Sequence, residues 1–273
     1  MKNPLRVFSQ LSVALLFSCM TLSVSAVEII AHRGASYDAP ENNLSAIKLG
    51  WKQKADAVEF DIHLSKDGKL VSMHDYDTKR IGGVNKKIVD QTWDELQKLD
   101  VGSWKGPKFA GERIPTTESI LATVPKGKAM FIEIKVGPEI LPELGRVMAA
   151  SGKKPEQLTM ITFNYNTAQA AKAQFPKHEV YYLHGWKKDK DTGKYPEIED
   201  LIKKAKDANL DGLNLNYNFP IDKAFVQKVH AAGLKLYTWT VNDPAVAKAL
   251  VAAGVDGITT DRPEYLRKAL KQK

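Results

Sequence analysis

Residues 57–75 read Ala-Val-Glu-Phe-Asp-Ile-His-Leu-Ser-Lys-Asp-Gly-Lys-Leu-Val-Ser-Met-His-Asp, and the alternation in their first half decides the fold. Successive side chains of a strand point to opposite faces, so Glu59 and Asp61 share one face while Val58, Phe60 and Ile62 share the other. The sensible orientation turns the apolar face toward packed helices and the carboxylates toward the axis of a barrel. Lys66-Asp67-Gly68 follows, and Asp-Gly is a strong hairpin signal. Residues 70–74 are therefore expected to return antiparallel beside 61–64, bringing His74 opposite or nearly opposite Asp61.

Outward from this hairpin, short apolar runs alternate with helical stretches. The strand-like runs are 28–31, 57–62, 129–134, 159–163, 180–183, 212–215, 235–240 and 257–260. Helix-like segments lie at 43–54, 139–151, 168–175, 198–209, 222–232 and 244–253, several of them stopping at a glycine. Strand and helix in alternation imply parallel strands with crossover helices. Eight such units imply an α/β fold closed as a (β/α)8 TIM barrel. The hairpin strand is a spare ninth, folded above the barrel mouth. Residues 76–118 then form an insertion rich in Gly and Lys, without barrel rhythm, that covers part of the mouth. It holds one short helix at 93–99, opened by the capping box of Thr92 and Glu95. The loop 186–196 is dense in Lys and Asp and reads as solvated surface.

The 273 residues carry a net charge of +8 and a single cysteine, Cys19. Residues 1–26 hold Lys2 and Arg6, then an apolar stretch, and end in Val24-Ser25-Ala26, the pattern of a cleavable signal peptide. Ser12, Ser18 and Thr21 interrupt the apolar stretch and count against a membrane anchor. Phe17 counts against lipid modification at Cys19. Cleavage after Ala26 gives a secreted or periplasmic domain of residues 27–273 with no cysteine, hence no disulfide framework. Its size suits one eight-stranded α/β barrel. With Lys2 and Arg6 removed the charge falls to +6. That favours anionic partners weakly and lacks the basic clustering of a nucleic-acid binder. Stable membrane insertion is not expected, and oligomeric state is left open.

Two carboxylates as close as Glu59 and Asp61 repel unless a cation lies between them. Oxygen ligands on an exported protein suit Ca²⁺ or Mg²⁺ better than zinc, with Mn²⁺ as a further option. A charged layer neutralised by Lys or Arg is the structural alternative, because unpartnered buried charge is too costly to be accidental. Glu133 alternates with Ile132 and Ile134 on the third barrel strand and can complete a three-carboxylate site. Lys135, two residues on, can meet a phosphate oxygen or pair with Glu133. His32 and His74 arrive at the same mouth from different elements. A phosphodiester needs its nucleophile deprotonated and its leaving alkoxide protonated, and imidazole does both near neutrality. Trp239 is placed to pack on a substrate carbon chain or to serve as core. Glu41 and Asn42 either start the first helix or support the site. His63 is ambiguous, and His178, His184 and His230 read as surface or core.

At these residues the chain resembles the glycerophosphodiester phosphodiesterase family, within the phospholipase C-like phosphodiesterase barrels. The resemblance rests on His32-Arg33-Gly34, Pro40-Glu41-Asn42, Glu59-Phe60-Asp61, Lys66-Asp67-Gly68, His74-Asp75, Arg113-Ile114-Pro115, Glu133-Ile134-Lys135, Trp239-Thr240-Val241-Asn242 and Asp256-Gly257-Ile258-Thr259-Thr260-Asp261, in that order. It implies a divalent metal on Glu59, Asp61 and Glu133, and His32 and His74 as general acid and base. It further implies phosphate contacts from Arg33 and Lys135, and Trp239 in the substrate pocket. Asn43 and Thr117 depart from the family pattern, which usually has threonine and leucine there. The activity so implied is hydrolysis of small glycerophosphodiesters to an alcohol and sn-glycerol 3-phosphate. Two rivals are a phospholipase D-like or phosphoinositide-type diesterase acting on intact lipid, and a non-catalytic binder of anionic cell-envelope polymers. The first would want an apolar rim, for which Trp104 and Phe109 are the candidates. The second would have no use for an acid and a base.

Overall fold

The eight apolar runs form the staves of a closed barrel. The computed structural model describes residues 26–271, so the expected leader lies, but for Ala26, outside the described residues. The strands are β1 (Glu28–Ala31), β2 (Ala57–Leu64), β3 (Leu70–Ser72), β4 (Ala129–Ile134), β5 (Leu158–Thr162), β6 (Val180–His184), β7 (Gly212–Asn216), β8 (Lys235–Trp239) and β9 (Gly257–Thr260). All but β3 are parallel and follow one another round the ring in the order β1-β9-β8-β7-β6-β5-β4-β2. Pairing of Ile30 with Ala57 and of Ala31 with Val58 closes it. β3 lies outside the ring as the expected hairpin partner, with Ile62 opposite Ser72 and Leu64 opposite Leu70. Met73 N donates to Asp61 O, which leaves His74 one residue past Asp61. Gly68 turns the hairpin at φ +81°, a conformation open to glycine without a Cβ clash.

The helices are α1 (Leu44–Lys52), α2 (Lys79–Gly82), α3 (Trp93–Leu96), α4 (Thr117–Leu121), α5 (Leu141–Ala150), α6 (Tyr165–Gln174), α7 (Ile198–Asp207), α8 (Lys223–Ala231), α9 (Pro244–Ala253) and α10 (Pro263–Ala269). Local chemistry sets their starts. The side chains of Asn164 and Asp222 accept from Thr167 N and Phe225 N, satisfying donors that the first turns leave open. α6 thus begins at Tyr165, a turn earlier than its apolar pattern indicates. Each barrel helix buries one stripe, as Ile198, Leu201 and Ala205 do on α7.

Two apolar layers result. Val58, Phe60 and Ile62 pack outward beneath the helices, as the alternation requires. Inside the ring lie Ile30, Phe131, Ile161, Tyr181, Leu183 and Tyr237. Tyr181 stacks on Tyr237 with centroids 5.0 Å apart, and Phe131 tilts against both. The two hydroxyls donate to Glu179 and Glu28, so this aromatic plug is satisfied as well as buried. A Cβ at Gly257 would stand 2.3 Å from Tyr237 Cε1, which reserves that position for glycine.

The insertion differs from its sequence reading. It contains α2 and two 3-10 turns besides α3, whose Thr92/Glu95 capping box forms as expected. Val71, Met73, Ile81, Ile88, Leu96, Val101 and Ile114 give it a small core of its own. α4, at its end, is the helix between the second and third barrel strands; five residues are too few to show a period. In the loop 186–196 the lysines are exposed, while Trp186 stacks on Tyr195 at 4.4 Å and packs against Phe219.

Candidate active site

β2 and β4 are neighbours in register, with Asp61 beside Glu133. Glu59 shares the inward face two residues earlier. One carboxylate oxygen from each of the three lies within 4.8 Å of the others, and all three residues are buried. Two cations face them. Lys135 Nζ stands 2.6 Å from Glu133 Oε1 and 3.3 Å from Asp61 Oδ1, and Arg33 Nε stands 3.4 Å from Asp61 Oδ2. Both readings of Lys135, partner and phosphate ligand, are therefore open to it.

The balance of charge is uneven. Burial pushes Glu59 well above the usual carboxylate range, and the Asp61 and Glu133 charges push the same way. Burial and Asp61 raise Glu133 to about 7 despite Lys135. Burial also opposes ionisation of Asp61, but Lys135 and Arg33 overcome it and hold that carboxyl low. With all three carboxyls ionised, as a bound cation would hold them, three negative charges would stand against the two positive ones of Lys135 and Arg33. Among the described residues Glu59 Oε1 is buried with no hydrogen-bond donor, and the buried Asp61 Oδ1 has only the ion-pair contact with Lys135. Hard oxygens, close together and short of donors, fit a divalent cation of the Ca²⁺ or Mg²⁺ kind, which would also favour the ionised carboxyls.

The backbone around His32-Arg33-Gly34 is bent to deliver these groups. Arg33 sits at φ +53°, where non-glycine residues are uncommon, and its N–H donates to Glu59 Oε2 at 2.7 Å. Gly34 allows the turn, since a Cβ there would lie 2.4 Å from the Ala46 carbonyl carbon. Asn42, at φ +61°, donates to Asp61 Oδ2 at 2.8 Å and accepts from Asp61 N at 3.0 Å.

Each site histidine is held by a carboxylate. His32 Nδ1 lies 2.7 Å from Asp261 Oδ1, and Asp261 also accepts from Ser36 Oγ and Asn242 Nδ2. Burial would raise Asp261, but the hydrogen bonds from His32, Asn242 and Ser36 outweigh it and keep it ionised. An ionised carboxylate only accepts, so the proton is assigned to Nδ1 and Nε2 is the free nitrogen. His74 Nδ1 lies 2.8 Å from Asp75 Oδ1. Asp75 is lowered to about 2: burial works against this, and the hydrogen bonds from Arg80 and His74 win. Burial lowers His74 itself, favouring the neutral ring.

Arg80, on α2, ties these supports together. Its Nε donates to Asp75 at 2.6 Å, and its Nη1 and Nη2 donate to Glu41 at 3.1 and 2.7 Å. Glu41 in turn accepts from Arg33 Nη1 at 3.0 Å. Sequence reading leaves Glu41 undecided, places Asp261 only as polar lining at the end of the eighth barrel strand, and gives Arg80 and Asp75 no role. The adjacency of Asp75 to His74 was the one local signal; Asp261 lies 229 positions from His32. His63 is removed from the site: it is buried edge-on against Tyr76, and burial lowers it to about 4. His178 and His230 bond to Leu158 O and Asp256.

Of the eight expected site residues, His32, Arg33, Glu59, His74, Glu133, Lys135 and Trp239 line one cavity of about 210 Å³. Asp61 is wholly buried against them. Trp239 Nε1 donates to Asn214 O at 3.0 Å, and the indole meets Phe163 edge-on at 5.4 Å, so an apolar wall faces the charged one. A wider recess of about 500 Å³, bordered by Tyr76, Asp77 and Asn164, adjoins at His74, Glu133, Lys135 and Phe163.

Comparison with known proteins bears on the family and the fold. Residues 32–265 match the model of the glycerophosphoryl diester phosphodiesterase family. The chain is 32% identical over 243 residues to a glycerophosphodiester phosphodiesterase of Caldanaerobacter subterraneus, covering 87% of this chain and 95% of that one. It is 29% identical to a glycerophosphodiester phosphodiesterase of Bacillus subtilis, covering 92% of this chain and 88% of that one. Among solved structures, an Oleispira antarctica phosphodiesterase in complex with the product sn-glycerol-3-phosphate superposes with a TM-score of 0.81 at 28% identity, covering 90% of this chain and 97% of that one. With the family model matched over residues 32–265 and these relatives covered over most of their length, this chain belongs to the glycerophosphoryl diester phosphodiesterase family.

Proposed function

We propose that this enzyme hydrolyses glycerophosphodiesters to an alcohol and sn-glycerol 3-phosphate in the 210 Å³ cavity, with one divalent cation, Ca²⁺ or Mg²⁺, held by Glu59, Asp61 and Glu133. The observation that carries this is the convergence of two histidines, each fixed at Nδ1 by a carboxylate, on the same cavity as the acidic triad. The bound cation would offset charge on the phosphate and lower the pKa of the attacking hydroxyl.

The chain's own residues do the rest. Arg33 and Lys135 draw the phosphate toward the charged wall and neutralise its oxygens. One histidine takes the proton of the attacking hydroxyl through its free Nε2, and the other returns a proton to the departing alkoxide. Asp261 and Asp75 hold the rings in the tautomer this needs and stabilise the charged form when it arises. Trp239 and Phe163 cover the carbon skeleton and keep water from that side. The product complex of the Oleispira antarctica relative supports sn-glycerol 3-phosphate as the retained half.

The intact-lipid reading is less well served. Trp104 is flanked by Arg80 and Lys105, and the Lys108 ammonium lies 4.7 Å from the Phe109 centroid, so neither ring offers a bare apolar rim. Export with cleavage after Ala26 belongs to the same proposal, and Val27, the first buried residue among those described, follows at once. The test is a panel of choline, ethanolamine, glycerol and inositol glycerophosphodiesters with Ca²⁺, Mg²⁺ or Mn²⁺, with and without chelator. Turnover of at least one diester, lost with chelator and in His32→Ala and His74→Ala, is expected. Full turnover with chelator, or in either variant, would refute the corresponding part.

A further inference from the structure

β7 stands across the barrel from β2, four steps round the ring in either direction. Its residue Asn214 points into the cavity opposite the acidic triad and is 1% exposed. Among the described residues its side-chain oxygen has no hydrogen-bond donor. Thr240 and Thr259, the hydroxyl-bearing residues of the cavity wall, do not bond to it. Ile161 and Leu183 are apolar, and the single N–H of Trp239 is already engaged by the Asn214 backbone carbonyl. A buried carboxamide without a partner is costly, and its presence in a ligand cavity points to a partner that arrives with the ligand.

We propose that Asn214 is the receptor for the terminal hydroxyl of the glycerol arm, and so a specificity-determining residue. This rests on the reading of the cavity as a glycerophosphodiester site. With the phosphate held between Arg33 and Lys135, the hydroxyl vicinal to the ester stays beside the phosphorus and the acidic triad. The terminal hydroxyl is one carbon farther along and is the group able to reach the opposite wall. Trp239 and Phe163 cover the carbons in between. A hydroxyl there donates to the carboxamide oxygen and can accept from the carboxamide nitrogen, matching both halves of the side chain. An arm ending in a methyl group would leave the amide unpaired, which is how buried polar groups reject close analogues.

The test compares two diesters, sn-glycero-3-phosphocholine and the analogue with a methyl in place of the terminal CH₂OH, which keeps the vicinal hydroxyl. With divalent cation supplied, the wild-type protein should prefer the first by about tenfold or more in kcat/KM. Asn214→Leu should erase the preference by losing activity on the glycerol diester alone, with activity on the analogue retained. Asn214→Ala, which adds no volume, serves if the leucine variant fails to fold. Binding of sn-glycerol 3-phosphate against propane-1,2-diol phosphate, measured by titration calorimetry with divalent cation present, provides a readout independent of turnover, with the same preference and the same loss. A preference that survives in the variants, an equal fall on both diesters, or equal wild-type affinity for the two monophosphates would overturn the assignment and leave the amide to bound water. Hydrolysis of neither diester by the wild type would overturn the functional reading instead, and the binding arm would still decide on Asn214.

Discussion

Replacing Asp261 with asparagine tests whether the support beneath His32 acts on the chemistry. In the native arrangement three donors meet two carboxylate oxygens: His32 Nδ1 at 2.7 Å and Ser36 Oγ at 2.9 Å on Oδ1, and Asn242 Nδ2 at 2.6 Å on Oδ2. An amide has the same shape but one acceptor and one donor. Either its nitrogen confronts Asn242, or it turns toward His32 and drives the ring proton to Nε2, the nitrogen the reaction needs free. The ionic hydrogen bond that strengthens as His32 becomes charged is lost in both cases. Hydrogen bonds to charged groups contribute about 1.5–3 kcal/mol, which corresponds to about 10- to 150-fold in rate. Because Asp261 is partly exposed at 28%, the lower half of that range is expected. The assay is steady-state hydrolysis of a glycerophosphodiester with saturating cation, alongside thermal unfolding. The loss should fall on kcat, with KM within about threefold, since the phosphate contacts of Arg33 and Lys135 are untouched. Wild-type kcat in a folded Asp261→Asn protein would refute the reasoning and take His32 out of proton transfer.

Arg80→Ala cuts the link between Glu41 and Asp75; after allowance for its 45% exposure the loss is about 1 kcal/mol, or about fivefold in kcat/KM, and guanidinium ion should restore part of it. No loss, or a loss that guanidinium leaves unchanged, would show the bridge to be only structural. His63 titrates at about 4 when folded and near 6.5 when unfolded, so the unfolded chain binds more protons between those values and stability falls as pH drops through that window. His63→Phe removes the penalty, and urea unfolding at pH 4.5 and 7 should show the variant gaining on the wild type at the lower pH; a constant difference would count against it. Cation binding near pH 6 should release protons, because burial and the Asp61 charge raise Glu133 to about 7 and Glu59 is raised as well, and affinity should rise with pH through about 7. Calorimetry in buffers of different ionisation enthalpy measures this, and binding without proton release would contradict the raised carboxyls.

The barrel was legible because its strands are buried on both sides and its helices on one, which writes period and length directly into the sequence. The hairpin was legible for a different reason: Asp67-Gly68 dictates a turn, and the turn fixes the register that places His74 by Asp61. Reach was what sequence reading lacked. Asp261 touches His32 across 229 residues, and no local pattern joins them. Arg80 lies in a stretch whose four-residue helix shows no period, so its two carboxylates were hidden. The small core of the insertion escaped for the same reason, since Ile81, Ile88, Leu96 and Val101 follow loop geometry and not a repeat. His63 has the right face by alternation, yet the hairpin carries it beneath Tyr76 and away from the cavity.

The plug of Phe131, Tyr181 and Tyr237 makes the barrel a blind well, with one end for both entry and exit. A substrate that lowers its glycerol end toward Asn214 must break with the alcohol uppermost, so the products leave in order of depth. The alcohol departs first and sn-glycerol 3-phosphate last. The deeper product should therefore compete directly with incoming diester, while the free alcohol inhibits without competing. A floor of three rings would in this way set the sequence of release and make the enzyme sensitive to the accumulation of one product and not the other.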